Sequence, residues 1–133
     1  MLFGDEHVER YVATDGEEGY HWQGTTILIL TTTGRRTGEQ RRNPLIYREH
    51  DGKYLIVASK GGSDAPPAWY LNLQAHPDVT VQVRGDVFAA LARTATPQEK
   101  PVFWREMTEV WPAYDEYQRK TEREIPVVAL ELA

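Results

Sequence analysis

Hydrophobic and β-branched residues occur along this chain in short runs, separated by turn-forming residues. The longest run covers residues 25–33 and is β-branched and apolar throughout, which is typical of a strand buried on both faces. The same reasoning predicts further strands at 43–48, 53–59, 79–83, 87–93 and 127–132. The pair Asp51-Gly52 and the triplet Arg84-Gly85-Asp86 supply tight turns, so hairpins are predicted at both places.

Apolar residues spaced about one helical turn apart predict helices between the strands. The predicted helices cover residues 6–14, 67–75, a segment opening at Thr96, and 112–122. Thr96 and Glu99 have the spacing of a capping box, but Pro101 lacks the N–H of an interior helical position. This helix is therefore predicted either to start late or to open as a tight turn. Asp64 is predicted to cap the helix at 67–75.

Six hairpin-linked strands with short flanking helices predict an α+β, mainly β fold. We expect a split antiparallel β-barrel in a single domain, residues 1–133, with residues 1–20 as a short helical or loop lead-in. A chain of this length buries enough surface to fold around one core without metal or disulfide staples.

Composition excludes several classes of protein. The absence of Cys rules out disulfides, thiolate metal sites and thiol catalysis, and the net charge of −5 argues against nucleic-acid binding. The longest apolar run, residues 27–30, is far below the roughly 20 residues that a membrane span needs, and no secretory signal is visible. We therefore expect a cytoplasmic protein, with at most peripheral contact at the inner face of the membrane.

Positive charge is concentrated in one segment of this acidic chain. Two glycines there allow backbone N–H groups to converge on an anion, and arginine supplies forked donors for phosphate or carboxylate. Strand alternation places Arg41 and Asn43 on the same face. This pattern favours an anionic small ligand, with solvated arginines on a hairpin as the alternative. The five clustered arginines are Arg35, Arg36, Arg41, Arg42 and Arg48.

Two further segments could carry chemistry. Residues 58–73 leave a strand, pass a Gly-Gly step beside Lys60 and enter a helix whose N-terminus could bind an anion, although a plain turn with Trp69 in the core explains the same pattern. Tyr114 and Tyr117 have helical spacing, so their hydroxyls could protonate an acceptor oxygen, or their rings could simply brace the core. The four histidines lack metal-ligand spacing, and no metal site is predicted.

Taken in order, these motifs resemble the deazaflavin-dependent nitroreductase family of mycobacteria and other actinobacteria. The resemblance runs from about residue 11 to the C-terminus. It implies a split β-barrel that binds coenzyme F420, a deazaflavin with a phosphate and an oligoglutamate tail. The matching motifs are Thr-Thr-Thr-Gly-Arg-Arg-Thr-Gly at 31–38, Arg41, Asn-Pro-Leu at 43–45, Ala-Ser-Lys-Gly-Gly at 58–62, Trp-Tyr-Leu-Asn-Leu at 69–73, Pro-Ala-Tyr-Asp-Glu-Tyr at 112–117 and Ile-Pro at 125–126.

The resemblance also implies roles, position by position. The residues that would bind the cofactor are Arg35, Arg36, Arg41 and Lys60 at the phosphate and tail, and Asn43, Pro44, Ala58, Ser59 and Trp69 along the rest. The residues that would border the substrate are Trp69, Trp111, Tyr114 and Tyr117, with Ser59, Tyr114 and Tyr117 as the candidate proton donors. Trp111 stands where the nitroimidazole-reducing member has Tyr, and Ile46 replaces an aromatic residue, which argues against activation of such prodrugs.

The activity implied is hydride transfer from reduced F420 to a quinone or another electron-poor acceptor such as a nitro compound. The sequence leaves two alternatives of other classes open: a deazaflavin-binding or carrier protein without turnover, and a split barrel that uses FMN. It also leaves open the physiological acceptor, the identity of the proton donor, and whether the protein is a monomer or a dimer.

Overall fold

Antiparallel strands form the larger part of the regular structure in the computed structural model, which describes residues 2–133. The strands are β1 (His21–Trp22), β2 (Thr25–Thr33), β3 (Gln40–Ile46), β4 (Arg48–His50), β5 (Lys53–Val57), β6 (Asp78–Val83), β7 (Asp86–Thr94) and β8 (Val127–Leu132). The helices are α1 (Gly4–Ala13), α2 (Ala68–Ala75), α3 (Lys100–Val110) and α4 (Ala113–Arg119), with a 3-10 turn at Lys60–Gly62.

Seven of the eight described strands form one path of antiparallel pairs, a ring that is left open where β3 and β4 meet. β2 pairs with β3 and β6, and the path continues through β7, β8 and β5 to β4, with every pairing antiparallel. Only Tyr47 separates β3 from β4. If those two count as one interrupted strand, the ring has six strands, so the predicted antiparallel barrel is confirmed.

The barrel is split beside that interruption. Arg48 pairs with Leu55, and extending this register would oppose Ile46 to Val57, yet within residues 2–133 no bridge joins β3 to β5. The Tyr47 N–H donates to the Thr26 carbonyl at 3.2 Å. Backbone N–H groups point to alternate sides along a strand, so at positions 44 and 46 the nitrogen faces away from β2 and towards the split. Pro44 has no N–H to offer there, which explains how it fits inside β3 without losing a bond to β2.

Two of the three core clusters pack on either side of the sheet at β2. Leu28 and Leu30 point into the barrel, where Ile56, Val81 and Leu130 meet them. The alternate residues of β2, 27 and 29, pack instead against Val8 and Tyr11 of α1. A third cluster joins α3 and α4 to β5 and β8. Helix α1, predicted at 6–14, therefore covers the outer face of β2.

The capping box predicted before α3 is present. The Thr96 N–H donates to Glu99 Oε1 at 2.9 Å, and the Glu99 N–H donates to Thr96 Oγ1 at 3.2 Å. The helix starts late, at Lys100, with Pro101 in its first turn where a missing N–H costs nothing.

The predicted cap of α2 is wrong. Pro67 occupies the N-cap position in an extended conformation, and no side chain caps this helix. Two consecutive prolines keep the chain extended up to Ala68, which carries Asp64 away from the helix start. The Asp64 carboxylate accepts instead from the Thr121 hydroxyl at 2.7 Å.

The predicted strand at 43–48 is interrupted at Tyr47. The Tyr47 side chain is buried, and its hydroxyl bonds the Tyr20 hydroxyl at 2.8 Å.

No helix within residues 2–133 is both long and apolar enough to cross a membrane.

Candidate functional site

A cleft of about 580 Å³ opens at the split in the barrel. Its walls come from β3, the end of β5, the loop after β5, the start of α2 and the segment from 111 to 117. Eight of the twelve predicted site residues line it: Asn43, Pro44, Ser59, Lys60, Trp69, Trp111, Tyr114 and Tyr117. Segments separated by about 70 positions in the sequence therefore meet at one site.

The loop after β5 carries Ser59 and Lys60 into the cleft. Ser59 is nearly buried, whereas Lys60 is exposed and has a left-handed backbone with φ of 46°. Gly62 has φ of 87°, and a Cβ built on it would lie 2.7 Å from the Tyr117 carbonyl oxygen. The loop and α4 can pack this closely only because position 62 has no side chain.

Arg123 holds the same loop from behind. Its Nε donates to the Ser63 carbonyl at 2.8 Å, and its Nη2 donates to the carbonyls of Ser59 at 2.9 Å and Ala58 at 3.3 Å. One guanidinium thus satisfies three backbone acceptors across the turn. No local sequence pattern indicates this role, because Arg123 lies 60 or more positions along the chain from the three residues whose carbonyls it binds.

The N-terminal end of α2 lies against the cleft. Pro67, Ala68 and Trp69 line it, and the absence of a capping side chain leaves the N–H groups of Ala68 and Trp69 open to an anion. Among the described residues that line the cleft, Lys60 is the only Lys or Arg. Trp69 also packs in the barrel core with 6% of its surface exposed, so this residue belongs to the core as well as to the wall of the cleft.

Aromatic side chains form the wall opposite the barrel. The Tyr114 and Tyr117 rings meet edge to face at 6.0 Å, and the Trp111 Nε1–H donates to Tyr117 Oη at 3.3 Å. Tyr114 is buried, and this burial raises the pKa of its hydroxyl above the ordinary value of 10.0. A tyrosine in this state keeps its proton and can act as a hydrogen-bond donor but not as a base.

Four predicted site residues do not line the cleft. Ala58 is fully buried in the barrel core. Arg36 and Arg41 are exposed, and Arg41 pairs with Glu39 at 3.1 Å. Arg35 is held against α2, where its backbone N–H and its Nη1 both donate to Asn72 Oδ1, at 3.2 and 3.0 Å.

The N-terminal residues are the part of the cleft that the sequence reasoning missed. Leu2, Phe3, Gly4 and His7 line it together with Trp22. Their anchors are long-range: the Trp22 Nε1–H donates to the Leu2 carbonyl at 2.9 Å, and His7 Nε2 bonds the Gly19 carbonyl at 2.8 Å. No local pattern distinguishes such residues from an ordinary amphipathic helix start.

The described part of the chain holds no group of three or more His, Cys, Asp or Glu side chains placed to bind a metal ion. The candidate site is therefore an apolar, aromatic cleft with hydroxyl donors, an open helix N-terminus and one lining lysine. Sites of this size and character bind small molecules.

Comparisons with known proteins indicate which small molecules related proteins use. The family model described as F420H(2)-dependent quinone reductase matches residues 4–132. The F420H(2)-dependent quinone reductase Rv1261c of Mycobacterium tuberculosis (strain ATCC 25618 / H37Rv) is 38% identical to this chain over 128 residues, which cover 93% of this chain and 86% of the relative.

Solved structures show the same similarity. A structure titled as an F420-H2 dependent reductase (FDR-A) has 43% sequence identity and a TM-score of 0.73, covering 79% of this chain and 93% of that one. A structure titled as a domain-swapped dimer has 40% identity and a TM-score of 0.77, covering 95% of both chains. HutZ of Vibrio cholerae, at 11% identity and a TM-score of 0.62, covers 99% of this chain and 92% of its own and shares the fold alone.

Proposed function

This chain belongs to the F420H(2)-dependent quinone reductase family, and from that premise we propose that it transfers a hydride from reduced coenzyme F420 to a quinone in the cleft at the barrel split. The family predicted from the motifs is thereby confirmed. The observation that carries the proposal is that one cleft combines an open helix N-terminus and Lys60 with the hydroxyls of Tyr114 and Tyr117.

The residues of the cleft fit a flat, largely apolar ring system with an anionic chain. Trp69 and Pro44 supply apolar surface, and β3 turns the carbonyl of Pro44 and the N–H of Ile46 towards the split, where a heterocycle can hydrogen-bond. The first turn of α2 and Lys60 suit a phosphate. The cleft volume of about 580 Å³ lies within the range of small-molecule sites.

The arginines outside the cleft suit the rest of an anionic tail. Asn72 lies one turn along α2 from Trp69 and holds Arg35 through two hydrogen bonds, so a chain leaving the α2 N-terminus along this helix would reach that guanidinium. Arg36 and Arg41 are exposed nearby on the loop and at the start of β3. We assign these three side chains to the oligoglutamate tail and not to the ring.

When bound, the reduced deazaflavin supplies the hydride. The protein contributes orientation, exclusion of water and proton donation. Tyr114 keeps its proton because burial raises its hydroxyl pKa, and Tyr117 and Ser59 offer further hydroxyls in the same cleft. Donors aimed at an acceptor oxygen stabilise the negative charge that hydride addition creates there. Ala58 would act only through the backbone of the loop, since its side chain is in the core.

The proposal also covers the electron acceptor, the extent of the domain and the location of the protein in the cell. We favour a quinone over a nitroimidazole, because Trp111 and Ile46 depart from the nitroimidazole-reducing pattern and both line the cleft. We treat residues 1–133 as one deazaflavin-binding domain, with α1 completing the cleft wall. A cytoplasmic location with at most peripheral membrane contact, and no nucleic-acid partner, complete the proposal.

Parallel titrations with F420 and FMN, followed by menadione addition to the reduced F420 complex, test the proposed function. We expect tighter binding of F420 than of FMN, weakening as salt rises, because the tail carries several carboxylates and FMN a single phosphate. We also expect menadione to reoxidise the reduced cofactor, recorded by deazaflavin absorbance. Equal or tighter FMN binding would indicate a flavin-binding barrel, and F420 binding without menadione reduction would indicate a carrier.

A further inference from the structure

Two tryptophans that line the cleft pack against each other. Trp22 of β1 and Trp111 at the end of α3 have ring centroids 5.9 Å apart and planes inclined by 35°. Each indole N–H already has an acceptor: that of Trp22 donates to the Leu2 carbonyl at 2.9 Å, and that of Trp111 donates to Tyr117 Oη at 3.3 Å. The position of the Trp111 indole is therefore fixed by its ring contact and by its hydrogen bond.

The chemistry of the two groups fixes the direction of the second bond. An indole N–H can only donate, whereas a phenol has one proton to give and lone pairs to accept with. In the Trp111–Tyr117 contact the tyrosine oxygen must therefore be the acceptor, and the proton of Tyr117 is not used there. That proton is left for another acceptor in the cleft that Tyr117 lines.

The Tyr117 ring is held on two more sides. The Tyr114 ring meets the Tyr117 ring edge to face, with centroids 6.0 Å apart. Lys120, the residue after α4, places its Nζ 5.7 Å from the centroid of the Tyr117 ring. A ring with these contacts has little freedom to turn, so the Trp111 bond sets which lone pair of Oη is occupied. Without that bond, the Tyr117 hydroxyl could rotate towards any nearby acceptor.

We propose that Trp111 is a positioning residue that orients the Tyr117 hydroxyl as the proton donor to the reduced acceptor. This inference rests on the proposed function. The quinone receives a hydride, which is two electrons and one proton, and becomes a hydroquinone anion. Tyr117 then gives its hydroxyl proton to the anionic oxygen, and solvent reprotonates the phenolate. Trp111 lines the cleft but transfers no proton in this step, and it acts on the proton transfer through Tyr117.

The hydrogen bond itself can be tested without cofactor or quinone. The four tryptophans give four indole N–H signals in a ¹⁵N-edited NMR spectrum of the full chain, and Trp111→Phe identifies the signal of Trp111. In Tyr117→Phe, we expect the Trp111 indole proton to move upfield and to exchange faster with water. The Trp104 indole, which donates to Asp115 at 2.8 Å, is the matched control and should keep its shift. An unchanged Trp111 signal would overturn the proposal.

The functional consequence is tested with menadione and reduced F420. We expect Trp111→Phe and Tyr117→Phe each to lower kcat about tenfold or more, and the double variant to be no slower than Tyr117→Phe. Menadione affinity for the cofactor-free protein, measured by calorimetry, should change less than kcat, because the apolar rings remain. Trp111→His, assayed at about pH 8 where a free histidine is neutral, keeps a ring N–H and should recover part of the lost rate.

The outcomes separate the two proposals. If the single-variant losses multiply in the double variant, Trp111 does not act through Tyr117. If the parent protein fails to reduce menadione while the Trp111 indole signal responds to Tyr117→Phe, the proposed function fails and the hydrogen bond stands.

Discussion

The guanidinium group of Arg123 donates to the carbonyl oxygen of Ser59, with an Nη2–O distance of 2.9 Å. Ser59 begins the turn that carries Lys60 into the cleft, and Arg123 comes just before the last strand. The shape of the loop after β5 therefore depends on a charge that lies outside the cleft.

Arg123→Ala should destabilise the fold and weaken cofactor binding together. Three backbone carbonyls lose a charged donor, which is expected to cost about 1.5–3 kcal/mol in free energy of unfolding. Urea unfolding measures the first effect and F420 titration the second. Arg105→Ala, an exposed arginine of α3, is the control and should change neither. Full F420 affinity in Arg123→Ala would show that the loop keeps its shape without this side chain.

The two loop glycines should respond very differently to alanine. Gly61 and Gly62 both have positive φ, so a Cβ costs about 1–2 kcal/mol at either position. A Cβ at position 61 meets nothing within 4 Å, whereas at position 62 it meets backbone atoms of Tyr117 at 2.7 and 3.0 Å. We expect a total loss of about 2–5 kcal/mol for Gly62→Ala. Equal unfolding free energies for the two variants would contradict the close packing of the loop on α4.

Lys60→Asn should weaken F420 binding while leaving stability unchanged. Asparagine tolerates the left-handed backbone at this position, so the substitution removes the charge without adding strain. Because Lys60 is exposed, we expect a modest loss of affinity, about two- to fivefold, that shrinks at high salt. Lys60→Arg keeps the charge and serves as control. A loss that is independent of salt would argue against an electrostatic role.

Tyr114→Phe should lower kcat for menadione without shifting the alkaline limit of activity. Burial raises the pKa of the Tyr114 hydroxyl above 10.0, so this group stays protonated wherever the enzyme works. Removing the hydroxyl deletes a hydrogen-bond donor but no group that titrates in the working range. The plot of kcat against pH should therefore keep its shape, with lower kcat at every pH. A tyrosine that only braces the core would change the melting temperature and leave kcat as in the parent.

Acid should weaken the fold partly through Glu99. Arg93 binds both Glu99 carboxylate oxygens, at 2.7 and 2.8 Å, and this bond lowers the Glu99 pKa from 4.5 to about 2. Since the folded-state pKa is the lower one, the stabilisation is complete above pH 4.5 and is lost as the pH falls towards 2. Glu99→Gln should therefore reduce the slope of unfolding free energy against pH in this window. Glu122→Gln, at an exposed position, should leave the slope unchanged.

Local sequence patterns predicted the barrel well because each of its strands carries its own signal. The β-branched run of β2, the Asp51-Gly52 turn and the Thr96–Glu99 box all act within a few residues. The break at Tyr47 could not be predicted, because residues 44–47 read as one apolar run and the break depends on a distant partner, the Tyr20 hydroxyl.

The same distinction between local patterns and long-range contacts applies to the candidate site. Motif residues such as Asn43, Ser59 and Tyr117 were found because each lies in a distinctive segment. The roles of Phe3, Trp22 and Arg123 depend on contacts between segments far apart in the chain. The structure also separates the arginines from the cleft, which charge clustering alone could not do, since clustering says nothing about which surface the charges face.

The proline in β3 has a consequence beyond the cleft. An open strand edge is a template on which another polypeptide can add as an extra strand, and this is a common route to aggregation. At the split, β3 offers such an edge, but position 44 gives no donor to an incoming chain. A peptide that added to β3 as an extra strand would therefore find no donor at position 44, whereas a small planar molecule can still use the Pro44 carbonyl and the Ile46 N–H that face the split.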